Sequence, residues 1–166
     1  MNDVFSQMLA AHTMQGTDGQ RNALYEVMQQ VALAGLARGG FFQEAAFYGG
    51  TCLRLFHGLK RYSEDMDFSL IQKNPDFQFE KYFPAIIEEA RLLGREVTIT
   101  KKDKRNVGRV ESAFLKDTTD VYNLSFQTER SVRIKIEVDT NPPMSFTTEQ
   151  RLMVQPYSFM VQCMTL

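Results

Sequence analysis

Phe47-Tyr48-Gly49-Gly50-Thr51-Cys52-Leu53-Arg54-Leu55, followed by Gly58-Leu59-Lys60-Arg61-Tyr62-Ser63-Glu64-Asp65-Met66-Asp67-Phe68, is the stretch whose reading decides the fold. Ala45 to Tyr48 is a short apolar run that reads as a buried strand, and Thr51 to Phe56 reads as a short helix. The two glycines between them let backbone amides approach a bound group closely. A helix starting at Thr51 aims its free N-terminal amides and partial positive charge at that group. Gly49, Gly50 and Thr51 are therefore a candidate phosphate cradle, with the Thr51 hydroxyl as an added donor. Asp65 to Ile71 reads as a second strand with Met66, Phe68 and Leu70 on one face. Asp65 and Asp67 then share the opposite face. Two carboxylates that close repel unless a cation lies between them, and a hard divalent ion such as magnesium (or manganese) suits oxygen ligands.

A third carboxylate comes from the most regular strand in the chain. In Ser131 to Asp139, Val132, Ile134, Ile136 and Val138 alternate with Arg133, Lys135 and Glu137, and Asn141-Pro142-Pro143 ends the run. Glu137 on the polar face, with Lys135 beside it, completes a set of metal ligands, general base and compensating charge of the kind used in phosphoryl and nucleotidyl transfer. Each signal alone has a plainer reading. A Gly-Gly pair is usually a turn, an Asp-x-Asp is usually a solvated strand end or a cap, and Lys135 with Glu137 reads equally as a surface ion pair. Their occurrence together, in this order and on these elements, favours the functional reading.

Working outward, Thr17-x-x-Gln20 reads as a capping box for a helix from about Gly19 to Arg38, with residues 1–18 as a weakly patterned leader. Its apolar face is Leu24, Val27, Met28, Val31 and Ala34. A further amphipathic helix is expected from about Asp76 to Leu93, burying Phe79, Phe83, Ile86, Ile87, Ala90 and Leu93, with Gly94 as its stop. Glu96 to Thr100 alternates as a strand, and another is expected around Val110 to Lys116. Helix, strand, helix, strand, helix and then strands predict a mixed α/β (α+β) sheet with helices packed on one side, in one domain spanning 1–166. The run Phe159 to Leu166 stops without a turn or polar tail, the ending expected of a fragment.

The run Gly49-Gly50-Thr51-x-Leu53-Arg54-Leu55 with Gly58-x-x-Arg61-x-Ser63-x-Asp65-x-Asp67-Phe68 resembles the first motif of the AbiEii/AbiGii toxin family. These are nucleotidyltransferase-like toxins of bacterial abortive-infection (phage defence) and toxin–antitoxin systems. Ile134-Lys135-Ile136-Glu137 resembles the strand that follows in the family. The resemblance spans roughly residues 20 to 166, its specificity concentrated between Phe47 and Phe68. It implies a polymerase-β-like nucleotidyltransferase fold, Asp65 and Asp67 as metal ligands, and Gly50 and Thr51 near the triphosphate of a nucleoside triphosphate. It also implies a cognate antitoxin and, from some members, an acceptor at the 3′ end of transfer RNA. Thr51 stands where the wider superfamily commonly has serine, which keeps the hydroxyl. The family's C-terminal helical region, with its catalytic lysine and further aspartate, is expected beyond Leu166.

Composition sets the remaining bounds. The 166 residues are 43% hydrophobic and 23% charged with a formal net charge of -1, values that suit one folded domain and leave any basic surface local. Two cysteines without ligand spacing fit a reducing cytoplasm, and no stretch has the length of a membrane span. Lys101, Lys102, Lys104, Arg105 and Arg109 form the one basic cluster, open to an RNA-phosphate reading and to that of a solvated hairpin turn. Arg61 and Ser63 join the candidate nucleotide-binding set; the plainer role for Arg61 is a salt bridge to Glu64 or an aspartate. Arg54 is a weaker candidate of the same kind with a structural role favoured. His57 reads as a satisfied structural histidine, His12 as exposed, and Cys52 as a buried small apolar side chain. Three functions fit: a metal-dependent nucleotidyltransferase acting on RNA, a non-catalytic nucleotide- or RNA-binding module, and a kinase-like phosphotransferase using the same ligands.

Overall fold

The alternation along Ser131 to Asp139 sets one face of that strand apolar and the other polar, and the sheet is built on this division. The computed structural model describes residues 4–11, 16–102, 119–126, 132–142 and 146–166. In chain order its elements are α1 (Val4–Ala10), α2 (Gly16–Arg38), β1 (Ala45–Tyr48), α3 (Gly49–His57), β2 (Met66–Leu70), α4 (Phe83–Leu92), β3 (Val97–Lys101), β4 (Thr119–Phe126), β5 (Arg133–Asp139), β6 (Thr148–Met153) and β7 (Phe159–Met164). The seven strands form one mixed sheet in the order β3-β4-β5-β2-β1-β7-β6. β2 runs parallel to β5 and β1 parallel to β7, while the other neighbours are antiparallel. Met66, Phe68 and Leu70 of β2 and Ile134, Ile136 and Val138 of β5 are all buried, in one cluster with Val27, Met28 and Val31 of α2 and Ile86 and Ala90 of α4. The helices therefore cover this face, as the mixed α+β expectation requires.

Aromatic side chains thicken that layer. The Phe41 ring meets Phe68, Phe79 and Tyr82 edge-on at centroid separations of 5.1, 5.3 and 5.1 Å, the offset geometry that aromatic quadrupoles favour. α2 and α4 cross so tightly that a Cβ built on Gly35 would lie 2.7 Å from the Ile86 Cα. Only glycine admits that approach.

Several boundaries differ from expectation for local reasons. The segment read as a leader carries α1, whose Phe5 and Met8 are buried and whose Phe5 ring lies 3.9 Å beneath the Arg95 guanidinium. α2 begins at Gly16, so Thr17 lies inside the helix rather than capping it. The helix expected from Asp76 starts only at Phe83: Pro84 in its first turn lacks an amide hydrogen and suits a helix start, and Phe79–Tyr82 form a 3-10 turn before it. Ile87, expected inside, is exposed. β4 and β6 were not anticipated, and the strand expected around Val110 to Lys116 lies outside the described residues. The apolar run after Phe159 is β7, an interior strand between β1 and β6 with Val161 and Cys163 fully buried.

Gly35→Val should destabilise the protein by about 1–3 kcal/mol, because branched carbons must enter a backbone-to-backbone crossing. Chemical denaturation checks it; an unchanged midpoint would mean that α2 and α4 separate at little cost.

Candidate active site

The site lies on the sheet face turned away from the helices, and strand register assembles it. Asp67 of β2 is paired with Glu137 of β5 on one side and with Tyr48 of β1 on the other. Paired positions on neighbouring strands place side chains about 5 Å apart on the same face. Asp65 immediately precedes β2 and is joined to the group by Lys135, whose Nζ lies 3.1 Å from Glu137 Oε1 and 3.6 Å from Asp65 Oδ2. The structure thus brings together Asp65, Asp67, Lys135 and Glu137. Asp139, two residues beyond Glu137 on the same face, also acts on Tyr48 electrostatically.

The crowding shows in the proton affinities. Burial, the charge of Glu137, a hydrogen bond with Glu137 and the charge of Asp65 push Asp67 up to about 6, against a smaller downward pull from Lys135. Lys135 is lowered by burial, but its hydrogen bonds and charge contacts with Glu137 and Asp65 outweigh this and raise it overall. Burial, then the charges of Asp67, Asp139 and Glu137, push Tyr48 up to about 12. As they stand, no three acidic, histidine or cysteine side chains among the described residues converge into a metal cage. Lys135 bridges two of the carboxylates instead. The donor set nevertheless suits a hard divalent cation: three carboxylates against a single ammonium leave negative charge in a partly buried place.

Beside the carboxylates, the chain turns from β1 into α3 at Gly49. Gly49 has φ +85°, and a Cβ there would sit 2.5 Å from Asp67 Oδ2. This position must be glycine for both reasons. The helix starts at Gly49 rather than Thr51, so Gly49, Gly50 and Thr51 form its first turn and present its unpaired amides. Thr51 departs from expectation. Its hydroxyl is buried and donates to the Asp65 carbonyl, which fixes the start of β2. Only its backbone amide remains to meet a phosphate.

Gly50, Leu59, Arg61, Tyr62, Ser63, Glu64 and Asp65 line an open pocket of about 520 Å³ next to this turn. Arg61 is exposed and makes no ion pair or side-chain hydrogen bond among the described residues; Glu64 is paired with Arg21 instead. Arg54 is fully engaged within the protein, on Glu26 and on the carbonyls of Leu59 and Lys60. Its phosphate-binding reading is therefore withdrawn. His57 is less settled than expected, because its buried Nε2 has no partner among the described residues. Cys52 is a buried free thiol. Lys101 and Lys102 lie at the exposed end of β3, with Lys101 Nζ 3.9 Å from Asp120; Lys104, Arg105, Arg109 and His12 fall outside the described residues.

Tyr48, Asp139, Gln29 and Glu26 join the site from the structure and not from the motifs in the sequence. Parity was available for Asp139, which shares a face with Glu137. The two α2 residues gave no signal, because polar residues on a long helix read as a solvated stripe.

A match to the family model for the nucleotidyl transferase AbiEii toxin, type IV toxin–antitoxin system, covers residues 31–166. The chain belongs to this family. The sheet and its helices superpose on a putative nucleotidyltransferase from Helicobacter pylori with a TM-score of 0.54 at 17% identity, over 88% of this chain and 54% of that one. JHP933 from Helicobacter pylori gives 0.52 at 16% identity, over 88% and 53%. These likenesses establish the nucleotidyltransferase fold, and the chain spans about half the length of those structures. No curated protein matches the chain. The AbiEii-family chain has no helix, among its described residues, long and apolar enough to cross a membrane.

A carboxyl group whose pKa is raised by folding stabilises the folded state when protonated, and that stability is lost as pH rises through the folded value. For Asp67 the window runs from about pH 4 to about pH 6. Metal-free protein should lose about 1–2 kcal/mol across it relative to Asp67→Asn. Thermal unfolding of both proteins between about pH 4.5 and 7.5 reads the difference; parallel pH profiles would show that Asp67 is not held under electrostatic strain.

Proposed function

We propose that the chain is the nucleotide-handling domain of a metal-dependent nucleotidyltransferase, transferring a nucleotide from a nucleoside triphosphate to an acceptor hydroxyl on RNA, such as transfer RNA. It acts in the cytoplasm as a toxin restrained by a cognate antitoxin. The observation that carries this reading is the β2–β5 register, which sets Asp67 beside Glu137 while Asp67 lies against Gly49 at the first turn of α3. Family membership supports the toxin and antitoxin parts.

In this scheme the triphosphate lies across the amides of Gly49, Gly50 and Thr51, with Arg61 and Ser63 reaching it from the pocket wall. Asp65, Asp67 and Glu137 hold magnesium or manganese, which when bound neutralises phosphate charge and makes the acceptor hydroxyl easier to deprotonate. Glu137 accepts the proton of that hydroxyl, directly or through water. The acceptor oxygen bonds to the α-phosphorus as the bond to the β-phosphate oxygen breaks, and pyrophosphate leaves. Lys135 shifts from its two carboxylates toward the phosphates as the site loads, so positive charge stays where negative charge accumulates.

A second reading, a non-catalytic nucleotide- or RNA-binding module, is favoured by one observation: the carboxylates do not converge into a cage as they stand. A kinase-like transfer of the γ-phosphate uses the same groups and would release nucleoside diphosphate in place of pyrophosphate.

Titration of each ribonucleoside triphosphate, with and without magnesium, tests the assignment. Binding should require magnesium and weaken by about tenfold or more in Asp65→Asn and in Asp67→Asn. Undiminished magnesium-dependent binding by both variants would sink the metal-ligand roles. Magnesium-dependent binding without product, in the presence of RNA, would favour the binding module.

A further inference from the structure

Between the end of α3 and the start of β2 the chain has no regular secondary structure, yet Leu59 to Asp65 forms the wall of the nucleotide pocket. α2 and α3 tie down almost every residue of this strap. The Arg54 guanidinium donates to the carbonyls of Leu59 at 3.3 Å and Lys60 at 3.1 Å, and lies 3.8 Å over the Tyr62 ring. Glu26 of α2 holds that guanidinium from behind at 3.1 Å. Gln29, itself only 2% exposed, donates to the Ser63 carbonyl at 2.7 Å. Arg21 pairs with Glu64, and Thr51 with the Asp65 carbonyl. Of the two strap cations, Lys60 and Arg61, neither makes an ion pair or side-chain hydrogen bond among the described residues, and Arg61 is the one that lines the pocket.

We infer that Arg54, held by Glu26, is a positioning residue: it fixes the strap so that Arg61 is presented to the phosphates of a bound nucleotide from a preset backbone. This rests on the nucleotide reading above. A planar guanidinium is needed because it serves a carboxylate, two carbonyls and an aromatic face at once, which an ammonium does not. Its contribution is preorganisation. A strap already ordered loses less freedom when Arg61 engages a ligand. Arg54 does not line the pocket, so its effect on binding passes through Arg61.

Arg54→Lys keeps a positive charge against Glu26 and is the variant of choice; Arg54→Ala, which leaves Glu26 unpaired, is the harsher companion. Hydrogen exchange of the ligand-free protein comes first. The Leu59 amide, which donates to the Leu53 carbonyl, should exchange about tenfold faster or more in Arg54→Lys, while the amides of β2 and β5 keep their protection. Magnesium–triphosphate titration should then show binding weakened about tenfold, and weakened little further when Arg61→Ala is already present. Unchanged strap exchange overturns the inference. So does a full, additive loss in the double variant, which would mean that Arg54 acts on binding by another route. Faster strap exchange in the variant, with no triphosphate bound even by the wild-type chain, would overturn the nucleotide reading while leaving the anchor in place.

Discussion

The parallel pairing of β2 with β5 is the constraint on which the rest of the site depends. It puts Asp67 beside Glu137, and the same hydrogen bonds put Phe68 beside Val138 on the reverse face. A slip of one residue would turn Lys135 and Glu137 into the core and expose Ile136 and Val138. Burying two charges and exposing two branched side chains is costly enough to exclude that register. The apolar face therefore does more than hold the domain together. Met66, Phe68, Ile134, Ile136 and Val138 specify which carboxylates meet on the other side of the sheet.

What they bring together is unfavourable by itself. Asp67 is half-buried, and burial together with the charges of Glu137 and Asp65 raises its proton affinity. Lys135 offsets part of it through two ion pairs, and Gly49 makes room by omitting a Cβ that would collide with Asp67. Strain of this kind persists only where its surroundings fix it. Here the surroundings are a seven-stranded sheet and a helical layer over one face. A cation that relieves the repulsion gains free energy from a site the core has already built.

Much of this was legible in the sequence because it is local. β5 announces itself by strict alternation, and β1, α3 and β2 follow from an apolar run, a Gly-Gly pair and a short-spaced Asp-x-Asp. What alternation cannot carry is the order of the strands. β7 comes last in the chain yet lies parallel to β1, and no local pattern encodes that choice. The role of Thr51 was misread because a hydroxyl at a helix start looks the same whether it faces a phosphate or a carbonyl of the next strand. Gln29 and Glu26 were invisible for a related reason: their partners lie 34 and 28 residues away, and a helix with polar residues usually shows them to water. α1 was missed because seven residues are too few for helical periodicity to stand out.

The two halves of the site are held by different means, and this shapes how each tolerates change. Asp67 and Glu137 sit on strands whose backbone hydrogen bonds are repeated along the ladder, so no single side chain keeps them in place. Arg61 sits on a strap without a ladder, and its position depends on a few side-chain contacts from two helices. Carboxylate geometry should therefore survive substitutions in α2 that the strap does not. The strap can in this way change while the carboxylates keep their places, because the register that places them is enforced from the opposite face of the sheet.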